Sequence, residues 1–181
     1  MPWHDEILAY WFETLSPPDW FQPSTEIDRV IEARFAGLID DIASKHPTKL
    51  VETPDTALAA VLMLDQVPRN VFRNSAKAFA QDAKALALSK AIVENGLDKT
   101  IPLDRRLFAY LPFEHSENLD DQVASVELIT ALGDDQYTHF AKAHHDVIQK
   151  FGRFPHRNQI LGRQSTQAEI DYLSQPGAGF G

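Results

Sequence analysis

Along almost the whole chain, apolar residues recur at steps of three and four, and no stretch alternates apolar with polar residues over the length of a strand. That period belongs to helices packed through one face. The clearest run is Ile27, Val30, Ile31, Phe35, Leu38 and Ile42, which predicts one long amphipathic helix. Thr53, Pro54 and Asp55 then read as a cap, a first-turn proline and an acid suited to the helix dipole. The helix that follows turns Leu58, Val61 and Leu62 inward and is expected to bend or end at Pro68, which has no amide donor and crowds the carbonyl of Leu64. An alanine-rich run from Ser75 through Ala91 predicts another helix, stopped by Asn95 and Gly96. A short helix through Leu107 and Tyr110 should run into Pro112. A capped start at Asn118 leads to Gly133, with Leu119, Gln122 and Val126 facing inward. A last long helix from Asp135 should bury Tyr137, Phe140, Ala141, Ile148 and Phe151 before Gly152, and Thr166 with Glu169 forms a capping box for one more.

Short links between several of these helices require antiparallel neighbours, so the expected class is all-α, built from helical hairpins. No fixed-period repeat accompanies them. With 181 residues the chain suits one domain, taken as residues 1–175, followed by a flexible tail at 176–181. Whether Phe180 docks is left open by the sequence.

Several function classes recede on composition. A net charge of -9 opposes binding to a phosphate backbone, so nucleic acid is not an expected partner. No apolar run has the length of a membrane span, and Asp5 and Glu6 stand where a secretory leader would need basic residues. The absence of cysteine rules out thiolate chemistry and fits a reducing compartment, so the expected location is cytoplasmic.

Charged residues appear where periodicity assigns core. The stripe of Leu58 and Leu62 continues to Asp65 and Arg69, which must pair, bind a ligand or meet water. They are either an ion pair bracing the turn at Pro68 or part of a site, with Gln66, Asn70 and Arg73 beside them. His115 lies between Glu114 and Glu117 ahead of a new helix, an arrangement suited to proton transfer or, more simply, to helix capping. On the last long helix His144 falls on the apolar face, with His145 at its edge. The segment from Phe151 to Arg163 holds Arg153, Arg157 and Arg163 with His156, Asn158 and two glycines. Arginine forks of this kind suit carboxylate or phosphate, or else tie the loop to helix ends and to carboxylates such as Asp65 or Glu117. His115, His144, His145 and Glu117 match no specific metal spacing, so no metal is assigned.

Three of these stretches carry a family resemblance. Leu64-Asp65-Gln66-Val67-Pro68-Arg69-Asn70, Leu111-Pro112-Phe113-Glu114-His115-Ser116-Glu117, and Phe151 to Asn158 with Leu161-Gly162-Arg163 resemble the bacterial DUF924 proteins. The likeness begins at Tyr10-Trp11-Phe12 and Trp20-Phe21 and runs to Ser165, Thr166 and Glu169. It implies an all-helical fold similar to tetratricopeptide-repeat proteins, with about seven to eight helices in an array of hairpins. It implies no activity and no cofactor.

Two functions are therefore weighed. In the first, Arg69, Arg153 and Arg157 hold a small anionic ligand while His115 with Glu117 moves a proton in hydrolysis or group transfer. Asp65, Gln66, Asn70, Gln122, His144, His156, Asn158 and Arg163 complete that lining. In the second, a helical scaffold holds a peptide or protein partner, using aromatics such as Trp3, Trp11 and Trp20, and the charged cluster is structural.

Overall fold

Caps place most helix starts where the residues imply them. Thr53 accepts the amide of Thr56, Asn118 those of Asp120 and Asp121, Asp134 those of Gln136 and Tyr137, and Thr166 that of Glu169. Each satisfies a donor that has no partner inside its own helix. The computed structural model describes residues 1–179. Its α-helices are α1 (Trp3–Ala9), α2 (Pro17–Phe21), α3 (Thr25–Phe35), α4 (Ile39–Ser44), α5 (Pro47–Leu50), α6 (Pro54–Val61), α7 (Val67–Val71), α8 (Asp82–Glu94), α9 (Leu103–Glu114), α10 (Leu119–Thr130), α11 (Asp135–Phe151) and α12 (Gln167–Leu173). Among the described residues there is no strand, and no helix is long and apolar enough to cross a membrane. The chain is all-α. Phe180 and the end of the expected tail lie outside the described residues.

Two compact units form. The first comprises Met1–Arg73 and Lys77–Pro112; the second comprises Asn74–Ala76 and the chain from Phe113 onward. In the first unit α1 packs on α6, α3 on α7, and α6 on α8. Ala57, Leu58, Ala59, Ala60 and Val61 are all buried, so α6 is apolar all round from Ala57 onward and forms the unit's centre. Trp11, Trp20, Phe12 and Phe21 gather around Phe108, with centroids between 5.1 and 6.1 Å from its ring. In the second unit α10 and α11 form a hairpin through Gly133, and Val147, Ile148 and Phe154 make a core joined by Phe151 and Tyr172.

Four details differ from the periodic reading. The run from residue 27 to 42 is two helices, with a 3-10 turn at Ala36–Leu38 where Gly37 weakens the helical preference. The alanine-rich helix starts at Asp82 after a 3-10 turn at Ala76–Phe79. No side chain caps it, and propensity alone does not fix a boundary. Pro68 neither ends nor breaks its helix, because a π-helical turn at Leu62–Gln66 precedes it and carries the chain directly from α6 into α7. Pro112 likewise lies inside α9, two residues from its end.

Facing differs from the periodic reading at three positions. Val30, on the expected apolar face, is 38% exposed. Phe140 is 43% exposed while its neighbour Ala141 is buried, and Leu119 is 43% exposed while Asp121, Gln122, Ser125 and Ile129 take the inner face of α10. A polar inner stripe defeats a rule that seeks apolar residues.

Candidate functional site

The π turn of the first unit delivers Asp65 and Gln66 to a buried position. Gln66 Nε2 donates to Asp65 Oδ2 at 2.6 Å. Arg69 Nη1 stands 3.1 Å from Asp65 Oδ1, and the same guanidinium grips both oxygens of Asp82 at 3.0 Å. Asn70 donates to Asp28 at 2.8 Å, and Arg73 adds a two-pronged pair to that carboxylate at 2.9 and 2.7 Å. Burial alone would raise the Asp28 carboxyl, but the bonds from Arg73 and Asn70 hold it below the usual carboxylate range. These are paired charges with geometry that satisfies them.

The second unit is ordered by two junctions. Gln122, fully buried, points its amide nitrogen at the carbonyls of Glu114, Ser116 and Phe113 at 2.6, 2.7 and 3.4 Å. One side chain thus closes the end of α9 and shapes the turn carrying His115. Glu117 is the second junction. It accepts from Arg163 at 2.7 and 2.9 Å and from the Phe154 amide at 2.7 Å, while Arg163 also donates to Asn158 Oδ1 at 2.9 Å and to the Phe154 carbonyl at 3.1 Å. Burial opposes ionisation of Glu117, yet the Arg163 and Phe154 bonds prevail and hold its carboxyl below the ordinary range. It stays ionised and is a poor proton donor near neutral pH.

Around the buried ring of Phe154 the side chains are of a different kind. His144 meets it edge-on at 5.6 Å, His156 lies tilted at 5.6 Å, and the Arg157 guanidinium sits 4.6 Å from its centroid. His144 and Arg157 are 8% and 7% exposed, so this cation and imidazole are held largely out of water. Nδ1 of His144 is 2.8 Å from the Phe140 carbonyl, which can only accept, so Nδ1 carries the proton and Nε2 the lone pair. Burial, then the neighbouring His115, His156 and Arg157, push His144 down to about 3. His156 is pushed down to about 4 by burial and by Arg157, with His115 and Arg163 adding to the effect and Glu117 opposing it. With His144 neutral, the 3.4 Å approach of Glu114 Oε1 to its Nδ1 is a polar contact and not an ion pair.

All the helices after α1, the Gln122 junction and the Glu117–Arg163 lock fall within residues 7–177, the span matched by the model of the family described as bacterial protein of unknown function, DUF924. The chain belongs to the DUF924 family. A solved structure of a protein of unknown function from Agrobacterium tumefaciens is similar to it, with 34% sequence identity and a TM-score of 0.90. The similarity covers 94% of this chain and 96% of that one. No curated protein matches.

In this DUF924 protein the candidate residues fall into separate groups. Asp65, Gln66, Arg69 and Asn70 belong to the first unit and form its ion-pair network. His115, Glu117, Gln122, His144, Arg153, His156, Arg157, Asn158 and Arg163 belong to the second. There Arg153 bonds to Glu169 at 2.7 and 2.8 Å and to the Gln164 carbonyl at 2.8 Å, beside an open depression of about 480 Å³ lined by Lys150, Phe151 and Thr166. Arg153 holds the Glu169 carboxyl down to about 2. Sequence reading missed Asp28 and Asp82, which are distant along the chain from the arginines they hold, and missed Phe154, an apolar residue at the centre of a polar group. Trp11, one of the aromatics weighed for a partner interface, is 1% exposed and packs edge-on to Phe108, so it belongs to the core. Among the described residues no three His, Asp or Glu side chains are grouped to hold a metal ion.

Proposed function

We propose that this DUF924 protein binds a small anion, a phosphate or carboxylate compound, at the group of His115, His144, His156 and Arg157 around Phe154. The observation that carries the reading is the collection of one guanidinium and three imidazoles within electrostatic reach of one another in a largely buried place. His115, His156 and Arg157 hold down the protonation of His144, and Arg157, His115 and Arg163 that of His156, even with Glu114 and Glu117 close by. An anion would reverse that relation. It would accept from Arg157, draw a proton onto His156 or His144, and bind more tightly as pH falls from 7 toward 5. The neutral tautomer of His144 leaves Nε2 able to take a proton from the ligand itself. Glu117 and Arg163 serve this site by fixing the loop that carries Phe154, His156 and Arg157. Arg69 and Arg153, each committed to carboxylates, are left out of the ligand set.

Titration with inorganic phosphate and with succinate, followed through the imidazole NMR signals at pH 6.0 and 7.5, tests the reading. At least one anion should shift the His144 and His156 signals and raise Tm, more strongly at the lower pH. Arg157→Gln should weaken binding about 10- to 100-fold, the worth of one charge-assisted hydrogen bond, with helicity intact. If neither anion moves those signals at either pH, the reading is wrong.

A further inference from the structure

The segment after α12 folds back on this same group. Ser174 donates to the Ile170 carbonyl, Gln175 to that of Tyr172 at 3.1 Å and Ala178 to that of Gln175 at 3.2 Å, so the backbone bonds of the segment are local turns. Gly177 and Gly179 have φ of +79° and +91°, in the left-handed region that side chains with a Cβ rarely adopt. At Gly179 the backbone approaches His156 so closely that an added Cβ would stand 3.1 Å from His156 Cβ, 3.6 Å from Cγ and 4.0 Å from Nδ1. Nδ1 of His156 is buried, and Ala178 and Gly179 are themselves half-buried. A glycine is needed there twice over, for its dihedral and for the room.

We propose that residues 175–179 form a strap that docks on the imidazole of His156 and lifts away to admit an anion to the Phe154 group. The ligand part of this rests on the anion reading; the strap itself rests on the Gly179 approach. A segment whose described backbone bonds are local turns opens at low cost. The direction of its effect follows from charge. A docked strap excludes water from His156 and favours the neutral ring, whereas an anion favours the protonated ring, so strap and ligand oppose each other.

Gly179→Val in the full chain places a branched side chain at positive φ and against His156, and should lift the strap while leaving every ligand-binding side chain unsubstituted. Ending the chain after Gln175 should do the same by a different route. The His156 signal, assigned with His156→Gln, should titrate higher in both by at least about half a pKa unit, and phosphate should bind about threefold or more tightly at pH 6. Unchanged His156 titration in both variants overturns the strap, whatever phosphate does. Raised titration with phosphate binding to no form overturns the anion reading and leaves the strap as a cover of His156. Raised titration with phosphate bound equally, or more weakly, overturns the opposition between them.

Discussion

Lowering the pH from 6.5 to 5 should destabilise the protein through two imidazoles. His144 and His156 have an ordinary value of 6.5 and are pushed down to about 3 and about 4 in the fold. Over the interval between those values the unfolded chain takes up protons that the folded chain refuses, so stability is complete above 6.5 and declines as the pH falls. At pH 5 each ring has lost about 2 kcal/mol, since each pH unit below 6.5 is worth about 1.36 kcal/mol, and the pair about 4 kcal/mol. That is a large part of the roughly 5 to 15 kcal/mol that holds a domain together. The carboxylates held low, Asp19, Asp28, Glu117 and Glu169, have the same sign but act only below their ordinary values of 3.8 and 4.5, so the interval from 6.5 to 5 reports imidazoles. Urea unfolding at constant ionic strength would measure the slope. His144→Asn puts an amide nitrogen where Nδ1 donates to Phe140 and removes one titrating ring, so the slope should fall by about one proton, or about 1.4 kcal/mol per pH unit. A stability that is flat from 6.5 to 5, or a slope that His144→Asn leaves unchanged, would refute the claim that these rings are held neutral.

Two further outcomes concern the junctions. Gln122→Leu fills similar space but strips the bond from three carbonyls at the end of α9, and should cost about 2 to 4 kcal/mol by urea unfolding, with faster amide exchange after Glu114; a loss under 1 kcal/mol would show that the carbonyls find other partners. Glu117→Gln removes the charge that fixes Arg163 and should cost about 1 to 3 kcal/mol at pH 7, shrinking below about pH 4.5 as Glu117 itself protonates, and a gap that stays constant into acid would mean the charge contributes nothing.

Helices were legible because their cause is local. Thr53, Asn118 and Thr166 cap the segments they were expected to cap, and Gly152 ends α11 with φ +69°. The polar positions were legible as anomalies, since Asp65 and His144 interrupt apolar stripes. Their partners were legible in part. Spacing offered the pair of Asp65 with Arg69, and Glu117 stood as a partner for the loop arginines without showing that Arg163, 46 residues away, takes it. Nothing near Arg69 in the chain points to Asp82, because that pairing depends on how elements pack. Gln122 could be placed on an inner face by spacing, but its task of holding three carbonyls follows from where α9 ends, which Pro112 disguised.

The π turn at Leu62–Gln66 closes its backbone bonds over one residue more than an α turn does. Its presence gives this stretch a surplus residue, and the burial of Asp65 and Gln66 accompanies it. A chain shortened by one residue there would keep the flanking faces in register while changing which side chains point inward. Length, as much as residue type, decides whether that interior is charged.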